Sequence, residues 1–383
     1  MKLCLSDGTV FSGRAFGAQV QTRGEVVFHT GLTGYVEALT DPSYRGQILV
    51  LTYPLIGNYG VPEEGHESGA VQVSGLVVAK HTAHRGNLGQ HQTVGEWLLA
   101  QGVPAIEGVD TRRLVTQLRS FGTMPGALLY DETEGFAQAK GVPMEEGLRC
   151  VALSEEIRLV GAQDMPTILV IDAGAKESLI RALHTRGANL VRISAEAEWE
   201  TVLPDIDGVV VSSGPGNPQH FDALAHRLRR VLAMGIPTFG ICLGHQLVCR
   251  ALGATTYKLP FGHRSHNQPV VEKQTGQPTL HTTRHTPGQT PGHTPGQTTG
   301  QTTGRAFVTS QNHGYAVEQD TLPKDLIPWF ENVNDGTNEG VRHAHLPIFS
   351  VQFHPEGGGG PHDTAWLFDE WLTLVASKKG SRS

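Results

Sequence analysis

Between residues 167 and 254, short apolar runs alternate with helical patterns, and this alternation constrains the fold more than any other feature of the chain. "TILVIDA" (167–173), "NLVRIS" (189–194), "DGVVVSS" (207–213) and "IPTFGI" (236–241) read as buried strands. Between them, "KESLIRALHTRG" (176–187) sets Leu179, Ile180 and Leu183 on one helical face and stops at Gly187. "FDALAHRLRRVLAMG" (221–235) is a second amphipathic helix, closed by Gly235. Strands joined by helices of this length predict an α/β architecture, a mostly parallel sheet with helices on both faces. Ligands in such sheets bind at the carboxyl ends of the strands.

The first half has a different pattern. Runs such as "EVVFHTGL", "GQILVLTYP" and "VQVSGLVVAK" dominate, followed by the helix pattern "DTRRLVTQLRSFG" with Asp110 as N-cap and Gly122 as its stop. We expect a smaller N-terminal α+β domain over 1–150, a linker over 151–165 and the α/β domain over 166–378. Residues 274–304 repeat a Thr-Pro-Gly-Gln theme, with one leucine and no Asp or Glu, and are expected to be disordered. They lie between "QPVVEK" and "RAFVTSQNHGY", which look like hairpin arms. Expanding a loop from about 4 to about 31 residues costs only roughly 2 kcal/mol of closure entropy, so the insert is tolerable.

Composition excludes several function classes. No run of eighteen apolar residues exists, so no membrane span is expected, and the polar N-terminus has no signal-peptide core. The formal charge of −7 comes without a basic block, which argues against nucleic acid. Four scattered cysteines fit neither a disulfide framework nor a zinc ribbon, and point to a reducing, cytoplasmic setting. Neighbouring histidines such as His263 and His266 lack the pattern of a known metal motif, so no metal is expected.

The strand "IPTFGI" delivers Cys242 into "GICLG", the thiol form of a nucleophile elbow. Glycines at 240 and 244 leave room for a sharp strand-to-helix turn. That turn aims the positive end of a helix at the sulfur and makes the Leu243 N–H an oxyanion donor. Farther on, "IFSVQFHPEG" (348–357) reads as a strand in which Pro355 keeps His354 extended, so that His354 and Glu356 approach one region. Thiol, imidazole and carboxylate supply a nucleophile, a general base and an orienting anion. "SSGPGNP" (212–218) adds Gly214 and Gly216 at another strand end, where backbone can approach a ligand.

Together "GICLGHQ", "SSGPGNP" and "FHPE" resemble the class I (triad) glutamine amidotransferases. "HTGLTGYVEALTDPSYRGQILVLTYPLIGNYG" (29–60), "GVDTRRLVTQLRSFG" (108–122), "DAGAKESLIRAL" (172–183) and "SQNHGYAV" (310–317) narrow the resemblance to the small-subunit family of carbamoyl-phosphate synthase. The resemblance implies that Cys242, His354 and Glu356 form the catalytic triad, with a glutamyl thioester on Cys242. It implies that glutamine is positioned by Ser43, Gly214, Gly216, Leu243, Gln246, Asn312, Gly314 and Tyr315. It further implies a carbamoyl-phosphate synthase large subunit as partner, reached by ammonia through an internal tunnel. ATP, magnesium and bicarbonate would bind that partner, with no cofactor in this chain. Asn217, Tyr315 and the loop 261–270 depart from the family's usual residues. Two rivals remain: another γ-glutamyl hydrolase or amidotransferase, and an idle scaffold, which would be expected to have lost Cys242 or His354.

Overall fold

The strand Thr238–Ile241 lies at the centre of the α/β half, paired in parallel with Gly208–Val211 on one side and Ile348–Val351 on the other. The computed structural model describes residues 1–84, 92–130, 155–273 and 304–379. Around this centre the ten-stranded sheet runs Ala306–Val317, Thr256–Glu272, Leu326–Asn332, Asn338–His343, Ile348–Val351, Thr238–Ile241, Gly208–Val211, Thr167–Asp172, Asn189–Ser194, Ile157–Leu159. The run from Ile348–Val351 to Asn189–Ser194 is parallel, and every strand outside it is antiparallel. The sheet is therefore mixed, because the segments from 256 to 343 are joined by turns and hairpins rather than crossover helices. Residues 155–165, expected as linker, contribute the edge strand Ile157–Leu159.

Strand alternation distributes the core to both faces. Ile168 and Val170 pack with Leu179, Leu183 and Trp371 on one face. Leu169 and Ile171 pack with Leu224, Leu228 and Leu247 on the other. The helices Glu177–His184 and Trp366–Lys379 cover the first face, and Asp222–Ala233 and Leu243–Ala251 the second. Leu243–Ala251 is buried all round rather than on one face, and Cys249 is one of its fully buried residues.

The N-terminal half forms an eight-stranded mixed sheet in which Thr22–His29, Gln47–Leu51, Gly75–Val78 and Pro104–Glu107 run parallel. Its helix Thr111–Phe121 starts where the Asp110 carboxylate accepts the Arg113 N–H at 2.9 Å, and it ends at Gly122. Backbone bonds tie this half to the hairpin of the other: Thr30 N–H to the Arg264 carbonyl, and Thr123 N–H to the Pro260 carbonyl. The hairpin arms pair from Thr256 against Val317 to Val271 against Ala306. Of the insert, residues 274–303 lie outside the described residues, as do Cys150 and the expected boundary near it. No helix among the described residues is long and apolar enough to cross a membrane.

Trp371 is fully buried and lies 6.0 Å, centroid to centroid, from Phe239 at the sheet centre. Trp371→Ala is expected to cost about 3–5 kcal/mol through the cavity it leaves. Urea unfolding measures this, and a change under about 1 kcal/mol would mean that this face of the sheet repacks freely.

Candidate active site

The apolar strand Thr238–Ile241 ends at Cys242, which occupies a left-handed backbone position, φ 54° and ψ −107°. Only two non-glycine residues have positive φ among the described residues, and such strain persists only where the surroundings over-determine it. The surroundings here are backbone. A Cβ on Gly244 would overlap the Val211 carbonyl, and one on Gly240 would come within 2.6 Å of the Gly244 carbonyl. Cys242 N–H donates to the Val351 carbonyl at 2.9 Å, so the neighbouring strand also holds the turn. The helix Leu243–Ala251 begins immediately, and its first N–H groups have no partner within the helix.

His354 follows the strand Ile348–Val351. Its N–H donates to the Ser310 carbonyl at 2.9 Å in an isolated bridge, which keeps it extended. The expected extended run does not continue to Glu356. Gly357 N–H donates back to the His354 carbonyl, so Pro355 and Glu356 form a turn, with Gly357 at φ 84°. Proline's fixed φ starts this turn, and the turn folds the Glu356 carboxylate back onto the ring. His354 Nδ1 and Glu356 Oε1 are 2.6 Å apart, both residues buried. The other ring nitrogen, Nε2, is buried with no hydrogen-bond partner, and Cys242 is near enough to act on the ring's charge.

Burial works against charge on both partners and is outweighed on both. It pulls the imidazole down, but the Glu356 carboxylate and Cys242 raise it, to about 10. It pushes Glu356 up, but His354 and Lys176 lower it, to about 2. Lys176 has its Nζ 3.6 Å from Glu356 Oε1 and 3.8 Å from Glu67 Oε1, and is buried. Desolvation lowers its pKa, and the two carboxylates together raise it above the ordinary lysine value.

A cleft of about 710 Å³ between the two halves brings together Cys242 with Ser43, Gly214, Gly216, Leu243, Gln246, Asn312, Gly314 and Tyr315. His354 and Glu356 do not line this cleft; each borders a separate smaller cavity that also touches Gly358. Gly214 approaches so closely that a Cβ would overlap the Ala173 carbonyl. Gln246 donates through Nε2 to the Tyr315 carbonyl at 2.8 Å and to Gln352 Oε1 at 3.0 Å, tying the helix to the hairpin. Asn312 Nδ2 donates to Asp41 Oδ2 at 2.9 Å, across the two halves. Ser43 follows Asp41, its N–H donating to Asp41 Oδ1, and its buried hydroxyl has no partner. Asn217 caps the short helix Pro218–Phe221 by accepting the Gln219 N–H, a job an aspartate would share.

Sequence reasoning missed Lys176, Glu67 and Asp41. Lys176 had a readable signal: it stands at the N-cap of Glu177–His184, where a cation opposes the helix dipole. Such a local violation points to an external partner. Asp41 and Glu67 gave no signal, because their partners are more than a hundred residues away in sequence.

Comparison with known proteins agrees with this two-part layout. The profile of the carbamoyl-phosphate synthase small chain, CPSase domain, matches residues 3–128, and that of glutamine amidotransferase class-I matches residues 169–374. The carbamoyl phosphate synthase arginine-specific small chain of Aspergillus oryzae is 41% identical, aligned over 99% of this chain and 81% of its own. Its counterpart in Yarrowia lipolytica is 40% identical over 99% of this chain and 83% of its own, and that of Neurospora crassa 40% over 97% and 79%. The alignments span both halves, so the chain belongs to the carbamoyl-phosphate synthase small-chain family, glutamine-hydrolysing subunits with a class I amidotransferase domain.

Proposed function

We propose that this chain hydrolyses glutamine through a Cys242–His354–Glu356 triad and delivers the ammonia to a carbamoyl-phosphate synthase large subunit. The observation that carries the reading is the strained Cys242 on the wall of the cleft, near enough to the His354–Glu356 pair to act on the ring's charge. Glutamine enters the cleft with its side-chain amide at Sγ, positioned by Ser43, Gly216, Gln246, Asn312, Gly314 and Tyr315. Before reaction the proton shared by Cys242 and His354 rests on His354 Nε2, as the raised imidazole requires, and the Cys242 sulfur attacks the amide carbon. The carbonyl electrons move onto oxygen, and the N–H groups of Leu243 and Gly214 donate to it and stabilise the charge. His354 returns the proton to the nitrogen as the C–N bond breaks, and ammonia leaves a glutamyl thioester on Cys242. Water, losing a proton to the same nitrogen, attacks the thioester carbon; glutamate departs and the thiol is restored. Glu356 does not exchange the proton. It holds the ring and stabilises the imidazolium, with Lys176 holding the carboxylate in turn.

Ammonia then reaches the partner, to which we assign ATP, magnesium and bicarbonate. The second half of the reaction, carbamoyl phosphate formation, belongs there. A free nucleophilic thiol suits a reducing compartment, and we place the protein in the cytoplasm.

Two predictions follow from this chemistry. Cys242→Ser should lower glutamine-dependent synthesis by about 10³-fold or more, while synthesis from free ammonia by the assembled enzyme is unchanged. Loss of both would make Cys242 a structural residue and sink the reading. The second concerns pH. His354 is raised in the folded state, so its contribution is complete below pH 6.5 and fades as pH climbs toward about 10. Glu356 is lowered, so its contribution is complete above pH 4.5 and fades toward about 2. The stability difference between wild type and Glu356→Gln should therefore be largest between pH 4.5 and 6.5, and should narrow on either side. Urea midpoints measured from below pH 4.5 to above pH 6.5 test it, and a difference that stays constant over that whole span would mean that the pair is not charged.

A further inference from the structure

Beside the cleft, and not used by the triad, four buried side chains converge from three strands of the α/β sheet. His263 lies in Thr256–Glu272, Gln311 and His313 in Ala306–Val317, and Glu339 in Asn338–His343. All four are at most 6% exposed. His263 Nδ1, His313 Nε2 and a Glu339 oxygen lie within 4.8 Å of one another. Glu339 Oε1 is 3.3 Å from His263 Nδ1 and 4.0 Å from His313 Nε2. Gln311 Oε1 is 3.1 Å from the first nitrogen and 3.0 Å from the second. Ligand atoms around a tetrahedral zinc at about 2.0–2.1 Å stand about 3.3 Å apart, close to this spacing.

The outer contacts fix the ring protons. His263 Nε2 is 2.8 Å from Asp335 Oδ2, and His313 Nδ1 is 2.8 Å from the Tyr315 carbonyl. Both outer atoms are acceptors, so each ring turns its N–H outward, the arrangement that metal-binding histidines adopt with a carboxylate or a carbonyl. The inner nitrogens then present lone pairs, and they face two oxygens that also present lone pairs. The Gln311 amide also bonds Glu339, and Asn332 Nδ2 is the donor that lies between Glu339 and His263, 3.1 Å from Glu339 Oε1 and 3.4 Å from His263 Nδ1. It cannot serve His313 as well, and Glu339 Oε2 is buried with no partner. A proton on His263 Nδ1 would still leave His313 Nε2 facing the Gln311 oxygen, lone pair to lone pair. One cation at the centre gives the two inner nitrogens, the Gln311 oxygen and Glu339 Oε1 a common partner.

We propose that His263, His313 and Glu339, with Gln311 as fourth ligand, form a structural zinc site. The nitrogen and oxygen donors suit a borderline divalent cation, and no position is left for a substrate. Gln311 and His313 flank Asn312, and Gly314 and Tyr315 follow, so the metal would clamp the strand that forms one wall of the cleft. The assignment of the metal does not depend on the proposed glutaminase chemistry.

The test uses the purified full chain, dialysed against metal-free buffer, with elemental analysis and cobalt(II) substitution. Wild type is expected to retain about one zinc per chain, and cobalt(II) to give the intense visible bands of a four-coordinate site. Glu339→Gln and His313→Gln should lose both signals, while Cys242→Ser keeps them. The proposal is overturned if folded wild type holds no zinc and gives no such bands on cobalt addition. It is also overturned if bound zinc survives both ligand variants and disappears with Cys242→Ser. Should the ligand variants fail to fold, the zinc content and cobalt spectrum of wild type decide the matter alone.

Discussion

A buried ammonium holds this molecule together. Lys176 is 3% exposed, and an unpaired charge at that depth costs several kcal/mol. Its counter-charges come from both halves: Glu356 beside the His354 imidazole and Glu67 from the N-terminal half. Glu67 does more than balance charge. Its Oε2 accepts the Ser178 N–H at 3.0 Å and its backbone carbonyl accepts the Glu177 N–H, capping from across the interface a helix whose own N-cap side chain cannot. Docking of the two halves and placement of the Glu356 carboxylate are thus one event.

The same coupling shapes the cleft. Ser43 and Asp41 belong to the N-terminal half, yet Asp41 fixes the Asn312 side chain on the opposite wall. Gln246 links the helix behind Cys242 to Tyr315 on that wall. A class I amidotransferase domain alone would have the nucleophile and its base but only part of the cleft. This accounts for an N-terminal half made of a full sheet with its own core rather than a short appendage.

The parts of the site that were legible in the sequence are those built by local rules. Cys242 between two glycines at the end of an apolar strand declares a strained turn, because few other residue choices fit it. His354 before a proline declares an extended residue near a sheet end. The antiparallel extension of the sheet was only half legible: the hairpin arms around the insert were visible, but not that they would join the same sheet. Strand order depends on pairing between segments far apart in the chain, and periodicity carries no information about partners. His263 and His313 show the same limit. His263 invites pairing with its neighbour His266, whereas the hairpin sets it against His313.

From its sequence alone, this chain determined its two-part organisation, a parallel core and the sharp strand-to-helix turn at Cys242. Local propensity, strand and helix periodicity and the steric demands of glycine and proline suffice for these. Only the tertiary structure decided that Glu356 reaches His354 around a turn, that Lys176 and Glu67 supply the charge balance, and that Asp41 orients Asn312. The reason is physical: a buried charge is tolerable only where an opposite charge arrives in space, and the chain distance between such partners is unconstrained.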